Sequence, residues 1–331
     1  MTAPPLALTQ GDPSGIGPEL ALKAYVERRA HDMPPFFLLS DAAFIARVAA
    51  CLELEIEIET TTPDHACEIF SRALPVVDIG CDVTGVPGSP DPADAQPTIK
   101  SIERAVECVA RGEARAVVTN PIAKSVLYKA GFKHPGHTEF LGELAHRHYG
   151  GDYRAVMMLW SQELAVVPLT IHIPLSEAPK RLTRDLIVET GEIVARDLKT
   201  RFDIERPRLA FAGLNPHAGE DGALGHEEIE TIAPAIAELR ARGVDASGPF
   251  PADTMFHAAA RTKYDVALCP THDQALIPIK TLAFERGVNV TLGLPFVRTS
   301  PDHGTAFDIA GKGIADPTSL IEAIKLAGRM T

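Results

Sequence analysis

The residues best suited to chemistry in this 331-residue chain stand just past three short apolar runs. Val266-Ala267-Leu268-Cys269 breaks at Pro270 and is followed by Thr271-His272-Asp273-Gln274, with Lys280 one apolar segment further on. Leu164–Thr170 leads into Ile171-His172-Ile173-Pro174, and Leu209–Leu214 into Asn215-Pro216-His217-Ala218-Gly219. Each run reads as a buried strand that delivers a histidine a few residues beyond its end, beside a proline that restricts the backbone. Ligands of open α/β sheets sit beyond the carboxyl ends of strands. One such turn alone reads as an ordinary polar surface turn. Three together describe a different object, because imidazole is the commonest metal ligand and three protein ligands with an open position make a catalytic metal site. Their wide spacing along the chain is no obstacle, since strand ends converge in space.

Strands and helices must alternate to bring such ends together. Strands are expected at Leu6–Thr9, Phe36–Ser40, Leu74–Ile79, Ala116–Thr119 and Val288–Leu292. Helices are expected from Pro18, from Asp41 to about Leu52, over Pro97–Arg111, near Thr183–Lys199 and Gly225–Arg242, and from Pro317. Leu52–Glu59 alternates strictly and predicts an edge strand with one glutamate-lined face. Ala155–Trp160 and Glu163–Thr170, joined by Ser161-Gln162, predict an antiparallel hairpin, hence a mixed sheet and a second domain.

Several loops carry further polar groups. Gln10–Glu19 holds three glycines that allow tight turns, but Leu20 stands where the dinucleotide fingerprint needs its third glycine. A nicotinamide cofactor would therefore not bind in the Rossmann mode. Asn120-Pro121-Ile122-Ala123-Lys124 again puts polar residues past a strand end. His134–Glu139 enters a helix and either orients an anion or is capped plainly by Thr138. Asp253 opens a short helix, as an N-cap or as an acid aimed at a site.

Composition sets limits on partners. Apolar residues make up 45% and charged residues 23%, ordinary for a soluble globular chain. A net charge of −12 argues against nucleic acid or an anionic membrane, and means that a phosphorylated ligand would need locally gathered cations. Five scattered cysteines, never paired as C-x-x-C, read as reduced thiols of a cytoplasmic protein. No basic-then-apolar leader and no apolar run near 18 residues is present, which predicts a soluble, cytosolic chain.

His303-Gly304-Thr305-Ala306-Phe307-Asp308-Ile309-Ala310-Gly311-Lys312-Gly313-Ile314-Ala315 resembles a motif of the isocitrate and isopropylmalate dehydrogenases, and Gly15-Ile16-Gly17-Pro18-Glu19 is similar to their N-terminal loop. Those enzymes hold metal with aspartates, whereas the candidates here are histidines. The Gln10–Glu19 loop, Thr119–Ile122, His134–Glu139, Thr170–His172, Gly213–Glu220, Cys269–Gln274 and His303–Ala310 together resemble the PdxA family, the 4-hydroxythreonine-4-phosphate dehydrogenases of pyridoxal phosphate biosynthesis. The likeness runs from Leu6 to about Ile324.

This resemblance implies a fold of two α/β/α domains with a cleft between them, isocitrate/isopropylmalate dehydrogenase-like and not Rossmann. Residues 1–132 with 286–331 would bind cofactor, and 133–285 would hold metal, substrate and the dimer contact. It implies His172, His217 and His272 as ligands of a divalent metal (Zn, Mg or Co), and His137, Thr138, Lys280, Asn289 and Arg298 as substrate contacts. Asp253 matches an acidic position near the site, and His303, Gly304 and Asp308 would meet NAD or NADP. It further implies a homodimer whose active sites lie at the subunit interface, with metal ligands shared between partners. The alternatives are a related dehydrogenase of another phosphorylated or carboxylated hydroxy acid, and a phosphate acyltransferase, which transfers no hydride.

Overall fold

Strands form where the apolar runs stand. The computed structural model describes residues 3–134 and 136–331; Pro135, part of a motif noted above, lies outside them. In chain order the strands are β1 (Leu6–Thr9), β2 (Phe36–Ser40), β3 (Ile58–Thr61), β4 (Leu74–Asp78), β5 (Ala116–Val118), β6 (Val156–Trp160), β7 (Ala165–Pro168), β8 (Arg208–Ala212), β9 (Asp245–Phe250), β10 (Val266–Cys269), β11 (Val288–Leu292) and β12 (Val297–Pro301). The fold is α/β, and the chain divides into two units. A terminal unit comprises residues up to Ala155 together with Leu294–Thr331, and a central unit comprises Val156–Gly293.

In the terminal unit the strand order is β3-β4-β2-β1-β5-β12, and every pair is parallel. Parallel strands covered on both faces read as continuous apolar runs, and β1 and β2 are buried at every residue. From β1 the chain first builds outward through β2 and then places β5 on the other side of β1. The carboxyl ends of β1 and β5 therefore flank a switch point, where ligands of such sheets bind.

In the central unit the order is β11-β6-β7-β10-β8-β9. β6 pairs antiparallel with β7, as the hairpin predicted, and also with β11, while β7, β10, β8 and β9 run parallel. Leu159, Val166, Ala210, Ala267 and Ile279 form part of its buried core. Among the described residues no helix is long and apolar enough to cross a membrane.

Some expectations shift. The alternating Leu52–Glu59 stretch is mostly not a strand: Leu52 ends the helix Ala42–Cys51, Glu53 takes φ 54°, and β3 starts only at Ile58. Leu54 N donates back to Ala49 O, so alternation here reflects a chain wrapping off a helix end. Arg298 lies within β12, in a stretch not expected to be a strand. The units also divide later than at 132/133 and 285/286. The helix His137–Tyr149 packs on the helix Ala95–Ala110 of the terminal unit, and β11 pairs with β6 over five residues in the central one.

Candidate functional site

Two parallel neighbours, β7 and β10, carry the first pair of expected site residues. Pro168 lies opposite Cys269, and the ladder continues as Leu169 N donates to Cys269 O (2.8 Å) and Thr170 N and Oγ1 donate to Pro270 O (3.2 and 2.6 Å). The next residues of the two strands emerge side by side, which leaves the His172 and His272 rings 5.8 Å apart between centroids. Both line a cavity of about 710 Å³, whose wall also includes Asp253, Asp273 and Phe256. Asp253 is not an N-cap; it is the middle residue of the short turn Ala252–Thr254.

His272 is the first residue of the helix His272–Ala283. Thr271 N and Oγ1 both reach Gln274 Oε1 (3.1 and 3.0 Å), and Gln274 Nε2 donates to Gly213 O just past β8 (2.9 Å). This chain of bonds fixes the start of the helix to the neighbouring strand end. His272 Nδ1 is 2.7 Å from Asp273 Oδ1. With its proton on Nδ1, donated to that carboxylate, the imidazole would present the Nε2 lone pair, the usual arrangement for a metal-bound histidine.

His217 follows β8 but is not among the residues lining this cavity. Its side chain is 66% exposed, and its Nδ1 is 3.6 Å from Glu220 Oε2. Among the described residues no three His, Cys, Asp or Glu side chains are grouped closely enough to hold a metal ion. One chain thus provides an adjacent imidazole pair rather than three ligands together. The pair suits a divalent metal by donor chemistry, as part of a set. Lys280 lies further along the same helix, its Nζ 5.6 Å from the Phe284 ring centroid, and Asn289 on β11 pairs with Leu159 of β6; neither lines the cavity.

The terminal unit collects a second set of groups, at its switch point. Gln10, Asp12, Thr119 and Asn120 are buried there. Gln10 Nε2 and Asn120 Oδ1 have no hydrogen-bond partner among the described residues. Gly11 and Gly17 pack so closely on Asn120 that a Cβ at either would lie 2.7 or 3.1 Å from its Cβ. Asp12 accepts from Ser14 N (3.0 Å), and Ser14 Oγ donates to Asp94 Oδ2 (2.7 Å). Burial pushes Asp12 up to about 6, with Asp94 adding to the rise, and burial raises Asp94 as well.

Arg298, 4% exposed on β12, donates from Nε and Nη2 to Thr119 Oγ1 (3.2 and 2.6 Å). Burial pushes its guanidinium down to about 10, so it remains a cation at neutral pH. Lost hydration, then Arg298 and Lys124, hold His137 well below the usual histidine range. Its imidazole is therefore neutral at pH 7, with a buried Nε2 that has no partner among the described residues. Thr138 follows it inside the helix and is not the cap; Gly136 is.

Lys124 is a residue that the sequence does not single out, beyond its place in a polar stretch after β5. It approaches the helix start, its Nζ 3.5 Å from where a Gly136 Cβ would stand. The two stretches that resemble the isocitrate dehydrogenases meet here too. Ile16 N donates to Thr305 O (2.9 Å), and the buried Glu19 accepts from Gly311 N and Ala315 N (both 3.1 Å). His303 Nδ1 is 3.0 Å from Gly304 O, while Gly304 and Asp308 are exposed.

Comparisons with known proteins agree on one family. Residues 32–327 match the family described as pyridoxal phosphate biosynthetic protein PdxA. The chain is 58% identical to a 4-hydroxythreonine-4-phosphate dehydrogenase of Methylorubrum extorquens (strain PA1), covering 98% of this chain and 94% of that one. It superposes with a TM-score of 0.88 on the crystal structure of 4-hydroxythreonine-4-phosphate dehydrogenase from Klebsiella pneumoniae, 37% identical, over 99% of this chain and 98% of that one. A terephthalate 1,2-cis-dihydrodiol dehydrogenase from Burkholderia xenovorans LB400 is more distant, at 27% identity and a TM-score of 0.67, covering 98% of each chain. A match of this extent, over nearly the full length, places the chain in the PdxA family of pyridoxal phosphate biosynthetic proteins.

Proposed function

We propose that this chain oxidises the secondary hydroxyl of 4-hydroxythreonine 4-phosphate, as a dehydrogenase of pyridoxal phosphate biosynthesis. The observation that carries the mechanism is the His172–His272 pair on a cavity at two adjacent strand ends. His172 and His272, with His217, would hold a divalent metal (Zn, Mg or Co), and Asp253 is an acid in reach of the same cavity. A bound metal would lower the pKa of the substrate hydroxyl, and NAD or NADP would take the hydride. The 3-keto acid so formed is a β-keto acid, whose loss of CO₂ gives 3-amino-2-oxopropyl phosphate.

The chain's own groups divide the remaining work. Arg298, kept charged although buried, would bind an anionic group of the substrate through charge-assisted hydrogen bonds. His137, held neutral, would accept or donate a single hydrogen bond without adding charge, and Thr138 would add a hydroxyl. Lys280 and Asn289 would contribute a cation and an amide. His303, Gly304 and Asp308 would meet the cofactor, whose domain is the terminal unit; the central unit would hold metal and the dimer contact.

The homodimer with shared metal ligands is supported by what surrounds the histidine pair. Leu175 and Ile277, both on the cavity wall, are 74% and 63% exposed in the single chain. Apolar side chains so placed are suited to cover by a second copy, which would also bring His217. The setting proposed is the cytoplasm.

A second reading, a related dehydrogenase of another hydroxylated substrate, is favoured by the likeness to the dihydrodiol dehydrogenase. One experiment separates these readings: NAD(P)+ reduction with 4-phosphohydroxy-L-threonine and with its dephosphorylated form, before and after chelation. Turnover of the phosphorylated substrate, lost with chelator and restored by metal, is expected. Equal turnover of both forms would favour the related dehydrogenase, and no cofactor reduction with either would favour acyl transfer.

A further inference from the structure

We propose that Glu228 is the positioning residue for His217, holding the left-handed turn that presents this imidazole; the inference rests on the reading of His217 as a metal ligand. The loop after β8 contains five consecutive left-handed residues: His217, Ala218, Gly219, Glu220 and Asp221, with φ of 53°, 53°, 80°, 45° and 54°. Glycine alone adopts this region freely, and L-residues visit it singly rather than in runs. Local bonds of the turn, among them Ala218 N to Asn215 O, Ala223 N to Glu220 O and Leu224 N to Gly219 O (3.1, 3.1 and 3.0 Å), join residues close in sequence. They do not by themselves tie it to the rest of the unit.

Glu228 makes that tie. It is 3% exposed, and its Oε1 accepts from Asn215 N (2.8 Å) while its Oε2 accepts from Asn215 Nδ2 (3.0 Å). Asn215 Nδ2 also donates to Glu227 Oε2 (2.8 Å). Two glycines let the backbone close around the carboxylate: a Cβ on Gly213 would lie 3.1 Å from Oε1, and one on Gly219 would lie 2.6 Å from Oε2. The carboxylate thus touches the entry of the loop at Gly213 and Asn215, and its middle at Gly219. Glu228 itself begins a π-helical turn, Glu228–Ile232, a rare form that is frequent at functional sites.

Stability alone does not account for this residue. A carboxylate buried against amide donors, with no cation beside it among the described residues, is an unfavourable choice for a core. Strained backbone persists where the surroundings over-determine it, typically at functional sites. His217 is well exposed, so the turn sets only where its Cα–Cβ bond points and what its ring can reach, and Glu228 holds that turn.

The test measures Co²⁺ binding to the full-length metal-free protein by titration calorimetry, alongside amide exchange over residues 213–224. Glu228→Gln keeps the volume and one acceptor but turns an amide NH2 toward one of the two Asn215 donors. It should lower Co²⁺ affinity at least about 10-fold, as loss of outer-shell support does. It should also speed exchange across the loop. His217→Ala should lose at least as much affinity, and the double variant no more than His217→Ala alone, because both changes act through one ligand. If His217→Ala loses affinity and Glu228→Gln does not, or if the two losses add, the positioning role is overturned. If His217→Ala binds Co²⁺ as the parent does, the ligand reading of His217 fails instead, and loop exchange alone decides whether Glu228 holds the turn. Should Glu228→Gln not fold, Gly219→Ala, which intrudes on the same carboxylate without removing it, is judged by the same criteria.

Discussion

In the terminal unit the polar side chains around the ends of β1 and β5 are drawn inside. Gln10, Asp12, Asn120 and Arg298 are all buried, and burial displaces the protonation of Asp12, His137 and Arg298. In the central unit the corresponding side chains stay outside: His217, Asp273 and Glu220 are exposed, and Leu175 and Ile277 stand uncovered beside the histidine pair. The same device, a polar turn past a parallel strand, is buried in one unit and left open in the other. Groups already desolvated need little from a ligand to act on it electrostatically. Groups still in water need a further component, a metal or a second chain, before they can act together.

The largest test of that contrast is complementation in the open unit. His217→Ala and His272→Ala chains should each lose at least about 100-fold in activity, as expected for a lost metal ligand. Mixed together they should regain activity, since heterodimers would contain one intact site. No recovery, with subunit exchange verified, would put His217 and His272 of a site on the same chain.

On the buried side, Arg298→Ala should lose a charge-assisted interaction of roughly 1.5–3 kcal/mol with the phosphorylated substrate. The dephosphorylated form should lose little. An equal loss for both, measured as kcat/KM, would mean that Arg298 does not read the phosphate.

A smaller effect is expected at Asp12. Its folded pKa, about 6, lies above that of the unfolded chain, so the native state binds the proton more tightly. That contribution is full below the unfolded value and is lost as pH rises through about 6. Asp12→Asn lacks the term. Its stability relative to the parent should therefore rise by about 2 kcal/mol between pH 4 and 7.5 in denaturant titrations, somewhat less than the whole shift implies. A pH-independent difference would show that Asp12 is not desolvated as described.

The smallest change is at the open rim. Leu175→Glu should leave monomer stability within about 0.5 kcal/mol, because the side chain is exposed in the single chain. It should nevertheless raise the dimer dissociation constant in sedimentation experiments. An unchanged constant would remove Leu175 from the subunit contact.

Much of this was legible where apolar runs set the structure. The three histidine-bearing strand ends, the β6–β7 hairpin and the glycine loop after β1 follow from residue order, because buried strands must be apolar and tight turns must have glycine. Leu52–Glu59 misled because alternation is also produced by a chain leaving a helix, and nothing in the residues marks the left-handed Glu53. Arg298 concealed a strand, since a cation in a fully buried strand contradicts the pattern that strands are read by. Lys124 and Glu228 were out of reach for another reason. Each acts through partners that only the fold supplies, His137 for one and Asn215 with Gly219 for the other.

Strand β12, which pairs with β5 in the terminal unit, is made only after the whole of the central unit. Val117 lies opposite Arg298 in that pairing, and Thr299 Oγ1 donates to Ala323 O in the final helix (2.8 Å). On the ribosome the central unit therefore has all of its residues before the terminal unit does. Its fold can form while β1–β5 still wait, with one flank of β5 unpaired, for a strand about 180 residues later. Exposed strand flanks in nascent chains are where wrong partners attach. Truncating the last helix should accordingly harm soluble yield more than it harms the central unit, whose β6–β11 would remain protected from proteolysis in what is recovered.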